Sequence, residues 1–253
     1  MLRYILNILI IGVLTTNNLA AANVDNLMST ANKSYTEGKF DEAVKAYESI
    51  ISQGYTSDKL YFNLGNAYYK TKNIPAAILN YERASLLNPG DEDISFNLDL
   101  AKTLTVDRIE PLPEFFMVTF FKKIKHIMST NGWAYTGILF LIISLGLAYF
   151  FWFSYSSNIK RITFSVGIFT LLITILSFTF SAQQKNSIVN HNYGILFPSV
   201  IAVKSSPGES GKDLFVLHGG TKVKIIDSVG DWFKVRIPDG NIGWVLKETL
   251  ERI

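Results

Sequence analysis

Two stretches of this chain run for 21 residues each without a charge: residues 133–153 (WAYTGILFLIISLGLAYFFWF) and 162–182 (ITFSVGIFTLLITILSFTFSA). A helix of that length crosses roughly 30 Å of hydrocarbon. Trp133, Tyr135, Trp152 and Tyr155 sit at the ends, where interfacial aromatics gather. Only residues 154–161 join the two runs, so a transmembrane hairpin is expected over 133–182, with both flanking regions on one side. Lys160 and Arg161 mark the connection as cytoplasmic. Lys122, Lys123 and Lys125 argue the other way, and they have a second explanation as interfacial anchors. Neither run holds an ionisable residue, which argues against a transport pathway or a proton relay. Overall composition agrees with a membrane part: 48% of residues are hydrophobic and 13% aromatic.

Residues 1–22 read MLRYILNILIIGVLTTNNLAAA. Arg3 gives a basic start, residues 4–14 an apolar core too short to span, and Ala20-Ala21-Ala22 small residues before Asn23. This predicts a signal peptide; an uncleaved N-terminal anchor is the alternative. Either sends the next domain across a membrane.

Residues 23–110 form the next unit, with 13 acidic and 9 basic residues. Within it, residues 59–89 read KLYFNLGNAYYKTKNIPAAILNYERASLLNP. Tyr61, Leu64, Gly65, Tyr68, Ala77, Tyr81, Ala84 and Pro89 fall at fixed offsets. Ala31, Ala43 and Tyr47 stand 34 residues before Gly65, Ala77 and Tyr81. This pattern resembles the tetratricopeptide repeat, a 34-residue helix–turn–helix unit. The second repeat is expected to have helices over about 59–70 and 74–87, with Pro75 in the first turn of the latter. Gly65 and Ala77 are small where the helices cross, and the tyrosines fill the space around them. Glu82 is expected on the outer face. Asp91, Glu92 and Asp93 open a further helix at its positive end, either half of a third repeat or a terminal cap.

The resemblance implies an extended peptide held on the concave face, with Asn32, Tyr35, Asn66, Tyr69 and Lys70 as groove positions. Asn32 and Asn66 lie one period apart and would bond the peptide backbone. Relatives that clamp a C-terminal carboxylate carry basic residues where this chain has Met28, Phe96 and Leu100, so carboxylate clamping is not implied.

Residues 111–132 are a linker followed by an amphipathic helix over 115–128. Its Phe, Met and Ile residues with Lys122, Lys123, Lys125 and His126 suit the membrane interface. From 193 to 253 short β-like runs appear at 199–203, 213–217, 221–227, 232–237 and 242–245, with a tight turn at Pro238-Asp239-Gly240-Asn241. The segments VKSSPGES (203–210), LHGGTKVKIID (217–227) and GDWFKVRIPDGNIGWVLKETLERI (230–253) resemble a bacterial SH3-like barrel. The ALYDY motif of eukaryotic relatives is missing, so proline-rich recognition is not implied. Trp232 is a candidate ligand surface and Trp244 a candidate core residue.

The expected fold class is therefore multidomain: an all-α tetratricopeptide solenoid, a two-helix transmembrane hairpin and an all-β SH3-like barrel. That order resembles the BatE-like proteins of the bacterial aerotolerance (Bat) group. The resemblance implies a multi-pass protein of the bacterial inner membrane with both soluble domains facing the periplasm. It also implies a scaffold acting beside von Willebrand factor A-type Bat proteins in aerotolerance or envelope stress. Cell-wall binding or envelope sensing, with peptidoglycan held by the SH3-like domain, is the alternative.

No enzyme is expected. His126, His191 and His218 fall in separate segments, and no HExxH, GxSxG or phosphate-loop motif occurs. The chain has no cysteine, which removes disulfides, thiolate metal sites and cysteine nucleophiles. No cofactor and no metal are expected. A net charge of +3 is too slight to imply nucleic-acid binding. The expected partners are proteins of the membrane or periplasm and the lipid bilayer.

Overall fold

Three helix starts of the N-terminal region are set by side-chain caps. The Ser57 hydroxyl accepts the Leu60 N–H (3.1 Å), the Asn73 carboxamide accepts that of Ala76 (3.3 Å), and the Asp91 carboxylate accepts that of Ile94 (3.1 Å). In this computed structural model, which describes residues 24–190 and 192–253, five helices result. They are α1 (residues 24–36), α2 (Phe40–Ser52), α3 (Asp58–Lys70), α4 (Ile74–Leu87) and α5 (Glu92–Lys102). The expected signal segment and His191 lie outside the described residues.

The turns obey the same 34-residue period. Gly38, between α1 and α2, has φ +79°, and Lys72, between α3 and α4, has φ +64°. Gly65 and Ala77 do mark a close helix crossing: a Cβ on Gly65 would lie 2.7 Å from the Tyr81 ring. Tyr81 is 2% exposed; burying a side chain of this size contributes about 2–3 kcal/mol. Asp91–Asp93 are a capped helix start, as the dipole argument anticipates.

After α5 the chain runs along the C-terminal sheet. Ile109 packs on the sheet's core, and the Leu112 N–H donates to the Pro238 carbonyl (3.2 Å). Helix α6 (Phe116–Lys125) follows, shorter than expected, with Phe116, Met117, Val118, Phe120 and Phe121 all exposed.

Helices α7 (Thr130–Phe153) and α8 (Ser157–Asn190) form an antiparallel hairpin, and each is long and apolar enough to cross a membrane. Helix α8 extends well past Ala182, where its apolar run ends. Thr163, Thr170, Thr174, Ser177 and Gln184 are buried on one face of it, at the 3- and 4-residue steps of a helix–helix seam. Trp133 stacks edge-on against Phe180 at 5.0 Å, and Gly137 lets Phe178 approach. Gln184 closes the open end of the seam. Its Nε2 donates to the carbonyls of Lys125 (2.6 Å) and Met128 (2.9 Å), and its Oε1 accepts from the Thr130 hydroxyl (3.3 Å).

The C-terminal module is one antiparallel sheet of seven strands, ordered β3-β2-β6-β5-β4-β1-β7. The strands are β1 (Tyr193–Leu196), β2 (Ile201–Lys204), β3 (Asp213–Leu217), β4 (Lys222–Val229), β5 (Trp232–Arg236), β6 (Ile242–Leu246) and β7 (Leu250–Arg252). Five were expected; β1 and β7 are additional and pair with each other, Gly194 opposite Arg252. Gly194 is required there, because a Cβ would meet Leu250 at 2.4 Å. The turn after β5 places Gly240 at φ +95°, with the Ile237 N–H donating to the Asn241 carbonyl (3.0 Å).

The repeats and the sheet share a core. Ala77, Ile78, Leu79, Tyr81, Leu98 and Ala101 of α4 and α5 cluster with Ile195 of β1 and Ile253. Glu82 corrects the expectation of an exposed outer face: it is 6% exposed, because β1 packs on α4 and the Lys222 side chain of β4 reaches over to its carboxylate.

Candidate functional site

Asn32 of α1 and Asn66 of α3 each sit in the same three-residue arrangement. The Asn32 Oδ1 accepts from the Tyr47 hydroxyl (2.7 Å) and the Asn63 Nδ2 (3.0 Å). One period later, the Asn66 Oδ1 accepts from the Tyr81 hydroxyl (2.7 Å) and the Asn97 Nδ2 (2.9 Å). Asn32 and Asn66, Tyr47 and Tyr81, and Asn63 and Asn97 are each 34 residues apart. With both lone-pair directions of the oxygen taken, the carboxamide plane is fixed, and the Nδ2 donors of Asn32 and Asn66 have no protein partner among the described residues.

The tyrosines are built to remain donors. Burial, with a smaller contribution from Tyr35, pushes the Tyr47 phenol up to about 12. Burial, with Tyr35 and Tyr69 adding to it, raises Tyr81 as well. Both hydroxyls therefore keep their protons far above neutral pH.

Asn32, Tyr35 and Asn66 come together with Thr36, Tyr47 and Asn63 around a cavity of about 200 Å³. The other two groove candidates lie apart from its lining. Tyr69 is half-buried against the cluster that α4 shares with the sheet. Lys70 is exposed at the end of α3, beside the turn that carries Gly38 and Lys39. Asn63 and Asn97 were missed by sequence reading, although the 34-residue period that singles out Asn32 and Asn66 also links them.

Trp232 opens β5, half-buried, opposite Leu246 on β6 and Val229 on β4. Trp244 is 9% exposed, with the Lys234 ammonium 5.7 Å from its ring centre.

A second polar constellation joins repeats to sheet. The Glu82 carboxylate takes Lys222 Nζ (2.6 Å) and Lys102 Nζ (3.1 Å). Burial alone would raise its pKa; the two ammonium groups outweigh burial and hold it below the usual carboxylate range. Arg83 donates to Glu251 Oε1 (2.9 Å) and to the Arg252 carbonyl (2.7 Å). Asp107 accepts from the Thr221 hydroxyl (2.6 Å) and the His218 N–H (2.7 Å), and lies 2.7 Å from His218 Nδ1. Burial opposes its ionisation, but these bonds prevail and lower its pKa. Each of these charged groups faces an opposite charge or a hydrogen-bond partner, as in a structural seam, although Glu82 Oε1 meets Lys102 as an ion pair without a hydrogen bond. Among the described residues, no three His, Asp or Glu side chains form a cation site.

Comparison with known families places these features. The bacterial SH3 domain family matches residues 199–251, and the tetratricopeptide repeat family matches residues 58–91. No match is found among curated proteins. Both matching families are interaction modules, and neither indicates an enzymatic activity. The chain thus combines a tetratricopeptide repeat, a pair of long apolar helices and a bacterial SH3-like sheet.

Proposed function

We propose that this chain is a non-catalytic, membrane-anchored scaffold that holds an extended segment of a partner protein along its repeats. The observation that carries this reading is the pair of oriented Asn32 and Asn66 carboxamides. An extended peptide offers backbone carbonyls at regular spacing, and two fixed Nδ2 donors one repeat apart suit such an acceptor row. The α7–α8 hairpin is the anchor, and Lys160 and Arg161 favour a cytoplasmic position for its connection. The repeats and the SH3-like sheet then both face the periplasm. The module order supports a place in a Bat-type complex of the bacterial inner membrane, with von Willebrand factor A-type proteins as partners.

The test is photo-crosslinking in native membranes with the probe at Asn66. A discrete protein adduct, missing when the probe sits at the exposed Lys45 of α2, supports the groove. Equal labelling at both positions, or none at Asn66, overturns it.

A second reading rests on the SH3-like match over residues 199–251 and the half-exposed Trp232: binding of peptidoglycan. The full chain in detergent should be used, because the isolated sheet would expose Ile195 and Ile253. Retention on cell-wall sacculi that Trp232→Ala abolishes supports this reading, and absence of retention rejects it.

A further inference from the structure

At the root of the hairpin lies a cavity of about 390 Å³ built by several separate elements. Lys122, Lys125 and His126 enter it from the end of α6, Asn186 and Ser187 from the last turns of α8, and Lys222 from the start of β4. None of its lining residues is Asp or Glu. Glu82 is turned inward between Lys222 and Lys102, and Glu114 pairs with Lys122. The cations crowd one another. Burial first, and then Lys125, Lys122 and Lys222, push the His126 pKa down; burial and then Lys122 do the same to Lys125. A second cavity of about 410 Å³ adjoins at Tyr193 and Lys222, where Lys222, Lys224 and Arg236 outnumber the one acidic lining residue, Glu114. The positive lining therefore continues along the sheet.

Position singles out one class of anion. The helix that supplies Lys122 and Lys125 exposes Phe116, Phe120 and Phe121, the apolar face of an interfacial helix. Its C-terminal end is pinned to the first turn of α7 by the Trp133 indole N–H, which donates to the Lys125 carbonyl (2.9 Å). With the hairpin in a membrane, the cavity opens at headgroup depth, beside exposed apolar side chains.

We propose that this cavity binds the phosphate-bearing headgroup of an anionic phospholipid, with Lys122 and Lys125 as charged donors and Asn186 as a neutral one. The acyl chains lie along the exposed apolar surface of α6 and the hairpin. The phosphate is the recognised chemistry, and the neighbouring phenylalanines select a lipid over a soluble phosphate ester. The inference rests on the membrane reading of α7 and α8.

The experiment uses the full chain in nanodiscs of mixed phosphatidylglycerol and phosphatidylcholine, with co-purifying lipid counted by native mass spectrometry. Phosphatidylglycerol should be retained selectively. Lys122→Gln with Lys125→Gln should lower that retention about tenfold or more, while Lys123→Gln, outside the cavity lining, should leave it unchanged. Should the double variant not fold, a photo-reactive probe at Asn186 in the otherwise unaltered chain should label phosphatidylglycerol and spare phosphatidylcholine. Equal retention of the two lipids, or equal labelling, overturns the site. Displacement of the lipid by free glycerol phosphate at matched concentration overturns the lipid assignment in favour of a soluble phosphate ester. Failure to enter nanodiscs overturns the membrane reading itself, whereas entry without lipid selectivity overturns only the headgroup site.

Discussion

Lys222, at the start of β4, reaches the buried Glu82 carboxylate of α4 with its Nζ 2.6 Å from Oε2. The pair joins residues 140 positions apart and ties the repeats to the SH3-like sheet. Around it, Arg83 holds the last strand and Asp107 holds the turn before β4. Ile195 and Ile253 complete an apolar cluster begun by α4. The α4 surface left open by the repeats is thus capped by β structure from the far end of the chain.

Breaking this pair from one side should cost more than removing it. Lys222→Met leaves the Glu82 carboxylate, 8% exposed, with Lys102 alone. We expect a loss of about 2–3 kcal/mol, below the range for fully buried pairs because the Lys222 side chain keeps 35% of its exposure. Glu82→Leu combined with Lys222→Leu should recover most of that loss, since the desolvation cost disappears with the charges. Urea midpoints of the three proteins check this; a double variant as unstable as the single one contradicts it.

Acid should loosen the same seam. Glu82 and Asp107 have folded-state pKa values below their ordinary 4.5 and 3.8. Above those ordinary values both are ionised in folded and unfolded chains, and their stabilisation is complete. As pH falls below them, the unfolded chain takes up protons first, and stability is lost through the folded-state values. The urea midpoint should therefore begin to fall below about 6.5, where the unfolded chain protonates His126 before the folded one does, and fall more steeply below about 4.5 as Glu82 and Asp107 follow. Asp107→Asn should flatten part of that fall. A midpoint that rises on acidification would reverse the sign and contradict the seam.

How much of this was legible follows from where the determinants lie. Helix α4 was read to its ends, because Asn73, Pro75 and the Ala77–Tyr81–Ala84 spacing are all local. The hairpin was legible from its uncharged runs, although α8 outlasts its run because residues 183–190, polar except for Ile188 and Val189, still form helix. Strands β1 and β7 were missed. They have four and three residues and are paired across more than fifty positions of sequence, so no alternation marks them. Glu82 was misread for the same reason: an acidic residue on a helix looks solvated until a partner from another domain is placed beside it. Asn63 and Asn97 could have been found, since the period that exposed Asn32 and Asn66 applies to them equally.

Lys72 carries backbone strain that the first repeat avoids. Its φ of +64° is the left-handed region, while Gly38 fills the equivalent turn one period earlier. A side chain there costs about 1 kcal/mol, partly offset by the greater unfolded-state entropy of glycine. Lys72→Gly should therefore raise stability by about 0.5 kcal/mol, read as an upward shift in the urea midpoint. Gly38→Lys should lower it. Opposite signs at two positions 34 residues apart would confirm that the turns are structurally equivalent.

The tyrosine hydroxyls can be separated from the tyrosine rings. Tyr81→Phe keeps the ring under Gly65 but removes the donor to Asn66 Oδ1, leaving Asn97 as the only group among the described residues that fixes the carboxamide. The stability cost should be that of one hydrogen bond, about 1 kcal/mol. A groove that depends on the orientation of Asn66 should lose partner crosslinking more than this small cost explains. Tyr47→Phe should act the same way through Asn32, and the two effects should couple rather than simply add, because both arrangements border one cavity. Crosslinking yield from a probe at Tyr35, compared at matched fractions folded, reads the effect. If Tyr81→Phe lowers stability and leaves that yield unchanged, the hydroxyl only supports the helix crossing, and Asn66 plays no part in holding a peptide.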